Sequence, residues 1–224
     1  MRYYKSDQRQ NMTFRVSGPS FNYMTKISIL VLTLIIFFYP SHALSQNKNS
    51  ARVKSIDAYC KKVDSFIKHS KSPQLVFADI SDPEEAKQKW KKFDSEKALE
   101  KFRETAETYT IAFNWQKNGN VAVSNFTLFS QSGDWAKYVY HYFREDGSLA
   151  RAESELRTFY GDYIVIRSSY FDRNGKLIHQ SVKYLDLVKK RPKKPTSDFL
   201  ADNSNEVDYF KKTSKLPFAH LLKK

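Results

Sequence analysis

The chain has 224 residues, a formal net charge of +14 at pH 7 and a single cysteine. With 41% hydrophobic and 28% charged residues, it has enough apolar side chains for one core and is neither a disordered polymer nor a bundle of membrane helices. One cysteine excludes an intramolecular disulfide. The positive charge favours anionic partners such as lipid headgroups, acidic polysaccharide or nucleic acid, or it serves solubility alone.

An uncharged apolar run lies near the N-terminus, at residues 27–39. As a helix of about 1.5 Å per residue it reaches roughly 20 Å, less than the roughly 30 Å hydrocarbon core of a bilayer. Lys26 precedes the run, Pro40 ends it, and Ala43 completes a motif of small residues suited to cleavage. Together these features predict a secretory signal peptide over residues 1–43.

The polar stretch that precedes the apolar run is unusual for a signal peptide. Met24 would make a conventional start, so we interpret residues 1–23 as the product of a misassigned start codon. Cleavage after residue 43 removes five cations and one acid, which leaves a net charge of about +10. We therefore expect an exported protein, periplasmic or secreted, with an N-terminal membrane anchor as the alternative. Export disfavours nucleic acid as the partner.

The segment that follows has the spacing of amphipathic helices. Apolar residues between positions 53 and 67 recur at steps of three and four, with lysines on the other face. A second helix is predicted to begin at Asp82, because a proline and then a glutamate follow it at the positions typical of a helix start. It would place Trp90 and Phe93 on one face. A restart near Ser95 gives two or three N-terminal helices in total.

From residue 109 the apolar period changes to two, which is typical of β-strands. Six runs rich in β-branched and aromatic residues are separated by short turns that combine Gly with Asn, Asp or Ser. The predicted strands are 109–116, 121–130, 135–143, 149–160, 163–171 and 177–185. Turns this short require antiparallel neighbours. The predicted fold is therefore α+β, with the N-terminal helices packed on a six-stranded antiparallel meander that can curve around a helix.

Two of the predicted hairpin turns resemble each other. Residues 142–149 and 170–177 share the pattern Tyr-Phe-x-x-x-Gly-x-Leu, at a spacing of 28 residues. Two copies are too few for a repeat array, so the similarity indicates only that both turns use the same local chemistry.

We predict one domain over residues 44–188 and a basic C-terminal tail over residues 189–224. Prolines should keep the start of this tail extended, and apolar residues near its end suit a short docking helix. The tail begins with a dense group of cations: Lys189, Lys190, Arg191, Lys193 and Lys194. This group is a candidate contact for an anionic surface, or else a solvated linker.

The third predicted strand places three tyrosines on one face. These are Tyr138, Tyr140 and Tyr142, and two tryptophans, Trp115 and Trp135, lie nearby in sequence. Aromatic side chains offer a large contact area with a polar tip, so these five residues are candidates to line a groove for a ligand, a peptide or a sugar. Core packing beneath the helices explains them equally well.

The chain lacks the short motifs that mark common catalytic sites. Its histidines are far apart in sequence, so neither a metal site nor a cofactor is predicted. Glu153 and Glu155 share a strand face, which suits either a glycosidase carboxylate pair or a solvated charged edge.

We therefore expect a non-catalytic, extracytoplasmic binding module that uses an aromatic-lined sheet face and the basic tail. Two alternatives remain open. One is an exported hydrolase in which His141 or His179 meets a carboxylate in a pocket. The other is a structural partner in an envelope complex, which should expose a broad apolar patch.

Overall fold

The computed structural model describes residues 40–70, 73–201 and 209–222. The apolar run of the predicted signal and the alternative start at Met24 lie outside these residues, whereas the predicted cleavage position, Ala43, falls within a helix. Residues 47–224 form a compact unit separate from residues 1–46. Within the described ranges, no helix combines the length and the hydrophobicity needed to cross a membrane.

The strands of the described region form one antiparallel sheet. They are β1 Leu75–Asp79, β2 Trp90–Phe93, β3 Thr110–Lys117, β4 Asn120–Phe129, β5 Trp135–Phe143, β6 Leu149–Thr158, β7 Tyr163–Phe171 and β8 Leu177–Asp186. Their order in the sheet is β2-β1-β3-β4-β5-β6-β7-β8. The six predicted strands correspond to β3–β8, and the predicted count of six is wrong because β1 and β2 extend the sheet to eight. The Asn118-Gly119 hairpin has positive φ at both residues, 54° and 79°, as a type I′ turn requires.

The described region contains three α-helices: α1 Pro40–Ser70, α2 Glu96–Arg103 and α3 Ser197–Ala201. The helix predicted to begin at Asp82 does not form. The Asp82 side chain accepts a hydrogen bond from the Glu84 amide, but the turn stops there, and Trp90–Phe93 pair with β1 instead. Pairing with β1 buries Phe93 on the sheet, and this burial outweighs the local helix-capping pattern at Asp82. The restart is correct, since the Ser95 hydroxyl accepts from the Ala98 amide at 3.1 Å and caps α2.

One face of the sheet is covered by α1 and α2. From α1, Ile56, Cys60 and Val63 are buried against residues of β4 to β7 such as Val123. From α2, Leu99 is buried against β1, β2 and β3. The strand register places the sheet residues that pack under α2 on the same side as those that pack under α1. Both helices therefore lie on the same face of the sheet.

The opposite face is covered by the C-terminal segment. Phe218 is fully buried and its ring stacks on Phe77 of β1 at 4.3 Å between centroids. Leu216 joins the same cluster, and Phe199 of α3 is buried against residues of β6, β7 and β8. Phe199, Leu216 and Phe218 of the segment predicted as a tail are therefore part of the core, whereas its basic start is exposed.

The basic run at the start of this segment makes a tight turn and does not extend away from the sheet. The Asp186 amide donates to the Arg191 carbonyl at 2.9 Å, and the Lys193 amide donates to the Tyr184 carbonyl at 3.0 Å. A further β-bridge joins Leu185 to Pro192. The chain thus folds back along β8, because these hydrogen bonds satisfy backbone groups at the sheet edge.

Replacing Phe218 by Ala should lower the free energy of unfolding by about 3–5 kcal/mol, because it removes a fully buried ring from the main cluster. Urea denaturation measures the change. Leu200→Ala is the control, since Leu200 is 56% exposed and its truncation should cost less than about 0.5 kcal/mol. A cost below about 1 kcal/mol for Phe218→Ala would show that the C-terminal segment is not part of the core.

Candidate binding surfaces

The aromatic residues predicted to line one groove do not share an open surface. Trp115, Tyr140 and Tyr142 pack in the cluster beneath α1, and Tyr142 is only 6% exposed. Tyr138 shares their face and lies under the guanidinium of Arg157. Trp135 is three residues from Tyr138 on the same strand, so its side chain lies on the other face. The tyrosine stripe therefore supports α1, and Trp135 belongs to a different surface.

Polar contacts accompany this packing. The Tyr142 hydroxyl donates to Asp64 of α1 at 2.9 Å, and the Tyr170 hydroxyl donates to Asp57 of α1 at the same distance. Arg151 of β6 lies 3.3 Å from Asp57. Burial, followed by the charge of Asp64, raises the pKa of Tyr142. These hydrogen bonds give α1 a defined rotation and register on the sheet.

Cys60 lies at the centre of the contact between α1 and the sheet and is completely buried. Burial is the main reason why the pKa of its thiol rises to about 12. A thiol in this state is neutral at physiological pH and is a poor nucleophile. Its location therefore indicates a packing role.

His141 and the predicted carboxylate pair lie on opposite faces of the sheet, since Glu153 and Glu155 pair with Tyr140 and Tyr138. His141 is buried and borders a cavity of about 300 Å³ on the face covered by the C-terminal segment. None of the described residues lining that cavity is a carboxylate. Glu153 and Glu155 are paired with arginines at 3.4 Å and 2.6 Å. Within the described residues, no cluster suited to a metal ion occurs. The hydrolase alternative gains no support from these contacts.

Three turns lie side by side at one end of the sheet, which we call the Val188 end: residues 130–135, 159–162 and 187–194. Hydrogen bonds join them: Phe159 N to Asp134 O at 3.0 Å, Leu187 N to Asp162 O at 3.0 Å, and Lys193 Nζ to Gly161 O at 2.7 Å. The turn after β8 is held further by the Asp186 carboxylate, which accepts from the amides of Val188 and Lys189. These contacts fix how the turns present their side chains.

The Val188 end exposes large apolar side chains beside cations. Val188 is 79% exposed, Phe159 67%, Tyr160 55% and Trp135 36%. The adjacent Lys189, Lys190, Arg191 and Lys194 are also exposed, and none of them forms an ion pair with another described residue. Lys193 differs, because it pairs with Asp186 at 3.7 Å.

This combination would not have been found from the sequence pattern alone. The sequence predicts Phe159 and Tyr160 as the end of an ordinary apolar strand. It predicts Val188 as the last residue of the domain. The hydrogen bonds between the turns bring them beside Trp135 and the cations. Of the predicted site residues, Trp135 and the basic group lie at the same end of the sheet, separated by β6 and β7.

Comparison of the chain with protein-family models, with curated proteins and with solved structures finds no significant match. Function therefore has to be derived from the geometry and charge of the surfaces themselves.

The Cys60 thiol should react with an alkylating reagent about a thousandfold more slowly in the native protein than in the unfolded chain at about pH 8, from its raised pKa alone. Because the pKa is raised on folding, the stabilisation from the neutral thiol is complete below pH 9.0 and is lost as the pH rises toward about 12. Alkylation followed by mass spectrometry, with and without urea, measures the ratio. Native and unfolded rates within tenfold of each other would mean that α1 does not cover Cys60.

Proposed function

We propose that the protein is an exported, non-catalytic module that docks on an anionic membrane surface through its Val188 end. The observation that carries the proposal is the juxtaposition of Val188, Phe159 and Tyr160, all more than half exposed, with cations that have no ion-pair partner in the described residues.

Exposed apolar side chains on turns are unfavourable in water and favourable at a bilayer interface. Burying a Phe or Val side chain contributes about 1.5–3 kcal/mol, and aromatic rings are suited to the boundary between headgroups and acyl chains. Each Lys or Arg close to an anionic leaflet adds about 1 kcal/mol. Val188, Phe159 and Lys189 to Arg191 therefore combine the two contributions that stable peripheral binding requires.

Two acidic groups of this end, Asp186 and Asp134, accept local hydrogen bonds, and neither forms an ion pair with Lys189, Lys190 or Arg191. The carboxylate of Asp186 accepts backbone hydrogen bonds from Lys189 and Val188, and the first of these is the largest reason why its pKa is lowered. Asp134 accepts a hydrogen bond from Ser132 at 2.6 Å. Asp162 is part of the turn and keeps positive φ. The local fold thus uses the carboxylates of Asp186 and Asp134 to shape the turns, while Lys189 and Lys190 are exposed.

The proposed membrane surface keeps the predicted basic group. Its aromatic side chains are Phe159, Tyr160 and Trp135 in place of the predicted tyrosine stripe. Lys189, Lys190, Arg191 and Lys194 supply charge, while Lys193 braces the turns through Gly161. Trp135 contributes at the edge of a cavity of about 330 Å³ that it lines with Phe159 and Leu187. An acidic protein partner is the competing occupant, and the experiment below separates the two.

The export component depends on the predicted signal over residues 1–43. We expect the mature protein from its native host to begin after Ala43 and to be found outside the cytosol. Intact-mass measurement on fractionated cells checks both. A full-length product that retains residues 1–43 and is free in the cytosol would contradict export.

Replacing Lys189, Lys190 and Arg191 together by Gln should weaken binding to vesicles of phosphatidylcholine and phosphatidylglycerol by roughly a hundredfold at low salt. Phe159→Ser should weaken it about tenfold or more through the lost apolar contact. Co-sedimentation measures both. All variants carry the same N-terminus, so any contribution of residues 1–46 is common to them.

The matched control changes the same amount of charge away from the Val188 end, with Lys92, Lys97 and Lys117 replaced by Gln. These three lysines are exposed. We expect the control variant to lose no more than half of the binding free energy that the first triple variant loses. Equal weakening by both triple variants would reduce the effect to net charge and would refute a specific Val188 end. Binding to an acidic protein but not to the vesicles would refute the lipid surface.

A further inference from the structure

The two similar hairpin turns meet at the end of the sheet opposite to the Val188 end. Successive turns of an antiparallel meander alternate between its ends, so the β5–β6 and β7–β8 turns are neighbours. Together with α1 they enclose an open cavity of about 420 Å³. Its polar lining includes one arginine from each of the three elements: Arg52 of α1, Arg144 of the first turn and Arg173 of the second.

Arg144 is fixed by the fold. Its guanidinium donates to the carbonyls of Leu149 and Phe171, each at 2.6 Å, and to the Ser148 hydroxyl at 3.3 Å. These bonds tie the first hairpin to β7. Burial lowers the pKa of Arg144, the charge of Asp146 opposes this shift, and the charge of Arg173 adds to it. Arg144 thus provides a charge that is already positioned at the wall of the cavity.

Arg52 and Arg173 have exposed side chains that line the same cavity. Within the described residues neither forms an ion pair. The one carboxylate in the lining, Asp172, accepts hydrogen bonds from the amides of Asn174 and Lys176, at 2.9 and 3.0 Å, and so closes its own turn. Three arginines therefore line a cavity whose one lining carboxylate among the described residues accepts hydrogen bonds from the backbone, and an anion there would meet positive charge from each of the three elements.

The rest of the lining limits the kind of anion. Ser55 and Asn174 offer polar side chains, whereas Ile56, Phe171 and Ile178 make one part of the wall apolar. Guanidinium groups bind phosphate oxygens in a planar, two-pronged geometry that an ammonium group does not reproduce. We infer that this cavity binds a phosphomonoester, with the phosphate between Arg52 and Arg173 and an apolar or sugar-sized substituent against Ile56. This site is separate from the proposed membrane surface and does not depend on it.

Titration calorimetry with inorganic phosphate and with phenyl phosphate tests the site on the full chain. We expect saturable binding of one equivalent, with phenyl phosphate tighter because of the apolar wall. Arg52→Gln and Arg173→Gln should each weaken phenyl phosphate binding about tenfold, since each removes a charge-assisted contact of roughly 1.5 kcal/mol. Both residues are exposed, so the variants should fold, and an unchanged thermal midpoint verifies this.

Arg191→Gln is the matched control, because it makes the same chemical change at the Val188 end. It should leave phenyl phosphate binding unchanged and weaken vesicle binding, while Arg52→Gln and Arg173→Gln should do the reverse. The same titration with soluble short-chain phosphatidic acid, a phosphomonoester that carries a lipid, tests whether the phosphate comes from a lipid headgroup or from a free phosphomonoester. Equal binding by the wild type and by both cavity variants, or no saturable binding of either phosphate probe, would overturn the inference without affecting the membrane proposal.

Discussion

The fold depends on burying both faces of one antiparallel sheet. Each face carries large apolar residues, such as Val123 under α1 and Phe77 under Phe218. A sheet that is apolar on two sides is stable only when other elements cover both, since exposed apolar area costs roughly 25 cal/mol per Å². The helices α1 and α2 cover one face, and the C-terminal segment covers the other.

This arrangement determines where binding can occur. With both faces largely occupied, the surfaces that stay open in the described region include the two ends of the meander, where the turns emerge. The turns at the Val188 end expose apolar residues and lysines, and the turns at the other end converge on α1 with Arg52, Arg144 and Arg173. The two ends therefore carry positive charge of different chemistry, which suits a broad surface at one end and a small anion at the other.

The hairpin meander was predictable because its signals are local. Alternating side chains and turns such as Asn118-Gly119 specify strands without reference to distant residues. The helix predicted at Asp82 was wrong because a single turn is enough to satisfy its capping pattern. Pairing of Trp90 and Phe93 with β1 stabilises this segment more than continuing the helix would. Local propensity yields to tertiary burial when the two disagree.

By itself, the sequence determined the antiparallel β3–β8 core and the helical character of α1. Only the tertiary structure decided the roles of the aromatic and charged residues. Strand alternation places Tyr142 and Trp135 on opposite faces, but it does not tell that Tyr142 is buried beneath α1 and that Trp135 lies at the edge of an exposed end. The physical reason is that side-chain alternation assigns a residue to a face, while the partner that covers that face comes from a distant part of the chain.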